Sequence, residues 1–151
     1  MAKIIKFIPN AKIWLLDFKK FNFQNFAGLP RYYGFCDCVQ GLRDFCAALR
    51  RQQELGIAAE PNYLIIDEWG SFIASLSKKE SEEMKQLLSE ILMIGRAFRY
   101  FPVIGIQRRD ASYFSNARDN FGCCLALGNL SREGRRMVFL DDVCANITPC
   151  A

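Results

Sequence analysis

An apolar run at residues 63–66 ends in two adjacent carboxylates, Asp67 and Glu68. Four apolar residues bounded by polar ones are typical of a strand that is buried on both faces of a parallel sheet. Such a strand delivers the two acids to the carboxyl edge of the sheet, where open α/β sheets bind their ligands. The run therefore predicts both a fold class, α/β, and the position of a candidate site.

Three further apolar runs have the length of strands, and helical patterns separate them. The runs are residues 13–16, 103–106 and 123–127. Apolar residues recur at helical spacing over residues 42–49, with Gly56 as the predicted stop. Ser77 and Glu80 fit a capping box that opens a second helix, and a third, shorter helix is predicted at residues 111–118. This alternation predicts a mainly parallel sheet with flanking helices.

Length and composition exclude several classes of protein. The 151 residues fit one domain, predicted over residues 1–144 and followed by a tail at residues 145–151. The chain has no His, which excludes Ser-His, Cys-His and His-metal mechanisms, and its seven Cys lack the Cys-x-x-Cys spacing of zinc sites. A net charge of +4 permits a nucleic-acid partner without requiring one. No membrane span or secretory signal is visible, so a cytoplasmic chain is expected.

Polar residues follow three of the predicted strands and could face one site. Asp17 follows the first strand, Asp67 and Glu68 follow the second, and Gln107 and Arg108 follow the third. Carboxylates for Mg²⁺ and water, an amide to sense a γ-phosphate and a cation for developing charge suit phosphoryl transfer. The other interpretation, strongest for Asp17 or Arg108 taken alone, is that strand ends are polar because loops are solvated.

The residue types predict a role for each member of this set. In nucleoside-triphosphatases the first acid of an adjacent pair holds Mg²⁺, directly or through water, and the second polarises the attacking water. We therefore predict Asp67 as the Mg²⁺ ligand, and Glu68 and Gln107 as catalytic residues. Asp17 and Arg108 are predicted, with Asp67, to contact the cofactor.

Short motifs also occur in a fixed order along the chain. They are LLDFK at 15–19, FAGLP at 26–30, LIIDEW at 64–69, IGRA at 94–97, GIQR at 105–108, NFG at 120–122 and SR at 131–132. The series resembles the FtsK/SpoIIIE-type DNA translocases, which are hexameric RecA-like motors. LIIDEW is similar to their Walker B segment, and GIQR to their Thr-Gln-Arg sensor strand. The resemblance covers residues 13–140, and Arg109 stands where the family's sensor motif usually has Pro.

The family's phosphate-binding loop has no counterpart in this sequence. No Gly-Lys dipeptide occurs, so the Walker A pattern G-x-x-x-x-G-K-[ST] is absent. The resemblance therefore implies a partial RecA-like P-loop NTPase fold that lacks the first, Walker A strand. In that fold the missing strand is central, and its absence would leave the predicted strand at residues 123–127 without its usual neighbour. Unpaired apolar edges of this kind favour self-association.

The resemblance implies a fragment of an ATP-driven double-stranded DNA translocase that acts in chromosome segregation or conjugative transfer. The intact domain would use Mg-ATP, bind double-stranded DNA and form a homo-hexamer, and intact relatives are often tethered to membranes through other segments. Because the loop is absent, we expect no tight cofactor binding and no hydrolysis by this chain alone. Its expected partner is the missing Walker A segment.

Two alternatives stay open at this point. One is a non-catalytic α/β binding or interaction module derived from such an ATPase, and the other is a conjugation coupling or packaging ATPase of the same superfamily. Arg96 and Arg132 are candidate arginine fingers or interface residues, with an ordinary surface role as the alternative. Lys19 and Lys20, together with Arg108 and Arg109, are candidates for contact with DNA or phosphate.

Overall fold

Four parallel strands form the sheet in the computed structural model, which describes residues 6–107, 111–114 and 120–126. They are β1 (Lys12–Asp17), β2 (Tyr32–Gly34), β3 (Asn62–Asp67) and β4 (Tyr100–Ile104). Their order across the sheet is β2-β1-β3-β4, so the two long strands β1 and β3 are central. The predicted α/β class with a parallel sheet is confirmed.

The helices that flank the sheet include two ends with recognisable capping chemistry. They are α1 (Cys38–Leu55), α2 (Trp69–Ser75) and α3 (Lys78–Ile94), with 3-10 helices at Gln24–Phe26, Phe35–Asp37, Gly95–Phe98 and Ala111–Tyr113. Gly56 ends α1 with a φ of 68°, a left-handed conformation that glycine adopts without steric penalty. Ser77 caps α3 by accepting a hydrogen bond from the Glu80 N–H at 3.3 Å, as the capping box predicts. None of these helices is long and apolar enough to span a bilayer.

The main core lies between the sheet and the helices α1 and α3. Leu16 and Ile66, from the two central strands, are fully or almost fully buried in it. Phe45 of α1 is buried there, with its ring 5.5 Å from that of Trp14 and 5.1 Å from that of Tyr100. These contacts fix the central strands against the helices, and therefore fix the place where the strands end.

Several element boundaries differ from the sequence prediction. β4 begins three residues and ends two residues earlier than the predicted run at residues 103–106, because it pairs with β3 from Asn62 beside Tyr100 to Ile66 beside Ile104. β2 was missed because a strand of three residues is too short to show a period. The strand predicted at residues 123–127 was wrong over its described part: residues 123–126 are not in a strand. A short apolar run becomes a strand only beside a hydrogen-bonding neighbour. Of the helix predicted at residues 111–118, the described part is the 3-10 turn at Ala111–Tyr113.

Pro102 lies in β4, which is an edge strand of the described sheet. Gly105 donates its N–H to the Ile66 carbonyl at 2.9 Å and accepts from the Trp69 N–H at 3.0 Å, so its backbone groups face β3. Successive residues of a parallel strand face opposite sides, and Pro102 therefore faces away from β3. The missing N–H of proline removes no hydrogen bond from the described sheet and offers none to a chain that approaches this edge.

Two bidentate ion pairs join α1 to α3. Arg43 donates to both oxygens of Glu83 at 2.7 and 2.9 Å, and Arg50 does the same to Glu90 at 2.7 and 2.6 Å. The spacing is seven residues on each helix, which is two turns, so the two pairs lie on matching faces. Hydrogen bonding from the guanidinium lowers the pKa of the Glu83 and Glu90 carboxyl groups below their usual range.

We expect the contribution of these two ion pairs to the free energy of unfolding to be lost as the pH falls below about 5. A carboxylate whose folded-state pKa is depressed stabilises the fold above its unfolded pKa, and that contribution is lost as the pH falls through the folded pKa. Urea unfolding across the acid range should show a shallower decline for a Glu83→Gln, Glu90→Gln double variant. The matched Arg43→Ala, Arg50→Ala variant should also be shallower. If the free energy of unfolding declines with pH as steeply in both double variants as in the parent, these ion pairs do not cause the acid dependence.

Candidate functional site: three acids at the carboxyl edge of the sheet

The register of the central strands brings the first two acids together. β1 and β3 pair in parallel with Asp17 directly beside Asp67 at their carboxyl ends. Glu68 follows at once, in the turn that leads into α2, with left-handed backbone angles of φ 61° and ψ 53°. Only 9% of Glu68 is exposed. The three acids therefore lie at one edge of the sheet, which is the placement that the sequence predicts.

Asp17 is fully buried and only half satisfied. Its Oδ2 atom accepts from the Phe23 backbone N–H and from the Tyr32 hydroxyl, both at 3.2 Å. Its Oδ1 atom has no hydrogen-bond partner among the described residues. Burial, reinforced by the charge of Asp17, raises the pKa of the Tyr32 hydroxyl and raises that of the Cys38 thiol to about 12. A buried carboxylate oxygen without a donor calls for a water, a cation or a ligand group.

The other two acids have partners from the same loop. We call residues 18–31, between β1 and β2, the acid-holding loop. Asn22 donates its side-chain amide to Asp67 Oδ2 at 2.9 Å, and the Lys19 ammonium lies 3.3 Å from Glu68 Oε2. The Ser71 hydroxyl adds a long contact to the same Glu68 oxygen at 3.5 Å. With the Phe23 backbone on Asp17, this one loop contacts all three carboxylates.

The third predicted strand end approaches the acids through its backbone. Gly105 follows β4, and a Cβ atom placed there would lie 3.6 Å from Asp67 Oδ1, an ordinary van der Waals distance. Gln107 lies two residues further along, at the same edge as Glu68, and is exposed. The structure thus puts Gln107 at the carboxyl edge together with the three acids, as the sequence predicts, while its sensor role stays a prediction.

The predicted arginines do not join this set within the described residues. Arg96 is exposed in the 3-10 helix that precedes β4, so it lies at the amino edge, opposite the acids. It could meet acids of this kind only on a second copy of the chain. Arg108 and Arg132 lie outside the described residues, as do Arg109 and the tail.

The three acids could hold a divalent cation only through one or two carboxylates, with water or substrate completing its coordination. The described residues contain no group of three His, Cys, Asp or Glu side chains that could hold a metal ion. Mg²⁺ does not need such a group, because it keeps several waters and is usually held by one or two carboxylates and substrate phosphates. Asp67, in register with Asp17, whose Oδ1 atom has no partner among the described residues, suits that mode of binding.

Sequence reasoning missed the donors that hold the acids. Lys19 is a predicted candidate for contact with DNA or phosphate, and in the structure it pairs with Glu68. Asn22, Phe23 and Tyr32 were not singled out, because isolated polar or aromatic residues in a loop carry no periodic signal. Lys20 does remain available to an anion. It lines an open groove of about 530 Å³, whose lining residues are Lys20, Gln24, Ala27, Tyr32, Gly34 and Asp37.

Comparison with known proteins gives one informative relative. The chain is 35% identical over 86 residues to the FtsK domain-containing protein YdcQ of Bacillus subtilis (strain 168). The match covers 56% of this chain but only 18% of that relative. No family model matches the chain. No solved structure matches it either.

Proposed function

Because the chain belongs to the FtsK-type family, we propose that it is the acid-bearing part of an ATP-driven double-stranded DNA translocase domain. In this proposal another segment or chain supplies the phosphate-binding loop. The observation that carries the proposal is the convergence of Asp17, Asp67 and Glu68 at the carboxyl edge of a parallel sheet. Asp67 would hold Mg²⁺, and Glu68 would act on the water that attacks the γ-phosphate.

The exposed apolar surface of the sheet supports the view that this is part of a larger domain. The rings of Tyr63 and Phe101 lie 5.3 Å apart and are only partly buried, and Val103 is 45% exposed. Parallel sheets are normally covered on both faces. β4 also forms an edge of the described sheet, next to the strand that carries the acids. A further strand beside β4, with one hydrogen bond missing at Pro102, and further helices would complete such a sheet.

A non-catalytic binding module is the second candidate, and two observations favour it. The sequence contains no Gly-Lys dipeptide and hence no phosphate-binding loop of the P-loop type. The acids are also already engaged, since Asn22 contacts Asp67 and Lys19 contacts Glu68. A scaffold that has lost turnover would keep the fold and these internal contacts.

We expect the purified chain to bind Mg-ATP with a dissociation constant on the order of millimolar and to release no phosphate. In P-loop enzymes the backbone N–H groups, the loop lysine and a helix N-terminus supply most of the phosphate binding, and two carboxylates alone repel a polyanion. Isothermal titration calorimetry measures the affinity, with Asp67→Asn as the variant that should lose the residual binding. Glu60→Gln, at the amino edge, is the matched control and should behave as the parent does.

Micromolar binding with steady phosphate release would show that the chain is a complete nucleotide site and would reject the partial-domain proposal. DNA binding separates the two candidates. Fluorescence anisotropy with a double-stranded oligonucleotide should show salt-dependent binding for a translocase part. A chain that binds neither Mg-ATP nor DNA, even when joined to a P-loop segment, would be the non-catalytic module.

A further inference from the structure

The acid-holding loop gives the acids donors that compete with a metal ion for the same carboxylate oxygens. The Lys19 ammonium lies 3.3 Å from Glu68 Oε2, and the Asn22 amide nitrogen lies 2.9 Å from Asp67 Oδ2. An amide N–H and an ammonium occupy the same lone pairs that a hard cation would use. Within the described residues, the loop therefore occupies one oxygen of each of two carboxylates that could otherwise face a cation.

The third acid shows that this filling is incomplete. Asp17 has no exposed surface, and its Oδ1 atom finds no partner among the described residues, although Oδ2 accepts from the Phe23 N–H. Phe23 directly follows Asn22, so adjacent loop residues bind the two neighbouring aspartates. A cation that entered between the aspartates would gain the free oxygen of Asp17. It would also compete with Asn22 for Asp67.

We propose that the Lys19 ammonium and the Asn22 amide are internal donors that a divalent cation displaces, so that cation binding at Asp67 releases the acid-holding loop. The inference rests on the proposed function only in treating the acids as a cation site. The two side chains are positioning residues: they hold Glu68 and Asp67 in place without a cation and yield to it when it binds. Cation binding would then change the exposed surface of the loop, where Phe21 is 78% exposed, and so change what a partner contacts there.

The proposal predicts that removing either donor tightens cation binding. Mn²⁺ replaces Mg²⁺ as the probe, because electron paramagnetic resonance measures free Mn²⁺ directly, and no nucleotide is added. Lys19→Ala and Asn22→Ala should each lower the Mn²⁺ dissociation constant by about two- to fivefold, since each removes a competing partner of modest strength. A merely structural role predicts the opposite sign, because a disordered site binds a cation less well.

Matched variants separate local competition from general charge effects. Lys12→Ala also removes one positive charge from an ion pair, with Glu60 at 3.3 Å, but at the amino edge of the sheet. It should leave Mn²⁺ affinity unchanged, and Lys19→Arg, which keeps the charge, should stay close to the parent. Asp67→Asn should abolish the binding in every background. Circular dichroism checks that each variant is folded.

Hydrogen exchange supplies the second readout. Saturating Mn²⁺ should speed amide exchange over residues 18–31 in the parent and should leave exchange in α1 and α3 unchanged. If Lys19→Ala and Asn22→Ala both bind Mn²⁺ no better than the parent, or if exchange in the loop slows on binding, the proposal is overturned. Binding that becomes detectable only in the two variants would support it. A failed ATPase test does not bear on these outcomes, because Mn²⁺ is added alone.

Discussion

Replacement of Trp69 by alanine is expected to lower the free energy of unfolding by about 3–5 kcal/mol, because it empties a fully buried indole site. Trp69 has no exposed surface, and its ring lies 5.7 Å from that of Phe72. Its indole N–H donates to the Tyr113 carbonyl at 2.9 Å, and its backbone N–H donates to Gly105. The residue therefore links α2 to two segments that follow it by more than thirty positions. Urea unfolding followed by far-ultraviolet circular dichroism measures the change.

Two further variants set the scale for the loss of unfolding free energy in Trp69→Ala. Trp69→Phe keeps most of the apolar volume but removes the indole N–H, so we expect a smaller loss of about 1–2 kcal/mol from the unpaired Tyr113 carbonyl. Met93→Ala truncates a side chain of a residue that is 67% exposed, and the loss should stay within about 0.5 kcal/mol. A Trp69→Ala variant within 1 kcal/mol of the parent, on the order of an ordinary surface change, would mean that this site is not a packed core.

Glu68→Gln should reduce ATP turnover by about 10²- to 10⁴-fold in a chain joined to a P-loop segment from an FtsK-type motor. The glutamine keeps the shape of the side chain, but its amide cannot take a proton from the attacking water. ATP binding should persist, because Glu68 is proposed to act on the water rather than on the phosphates. Phosphate release under saturating Mg-ATP, with nucleotide affinity measured separately, tests both statements.

A matched substitution controls for the loss of one carboxylate. Glu60 pairs with Lys12 at the amino edge of the sheet, away from the three acids. Glu60→Gln should therefore leave turnover at the parent level. Equal turnover in the joined parent and in its Glu68→Gln variant would remove Glu68 from the catalytic role.

The positions of the acids could be predicted because they depend on local patterns. The apolar run before Asp67 indicates a buried strand, and parallel pairing then places strand ends at one edge. The helix boundaries at Gly56 and Ser77 also follow from local chemistry, a left-handed stop and a capping box. Each of these signals lies within a few residues of the feature that it predicts.

The contacts around the acids could not be predicted, because they join residues that are far apart in sequence. Asn22 reaches Asp67 across 45 positions, and no pattern within the loop marks it as a partner of that aspartate. β2 is a strand only because the backbone of β1 lies beside it, from Leu15 next to Tyr32. The reverse holds at residues 123–126, where an apolar run forms no strand.

The left-handed backbone of Glu68 has a consequence for how variants of this chain would be selected. A non-glycine residue with φ near 61° carries a steric cost of about 1 kcal/mol, which glycine at the same position would remove. A screen for thermal stability alone would weigh this gain at position 68 against the contacts of the carboxylate with Lys19 and Ser71, and would give no weight to its proposed role in turnover. Under the proposed role of Glu68 in turnover, libraries built for stability should therefore hold this position constant.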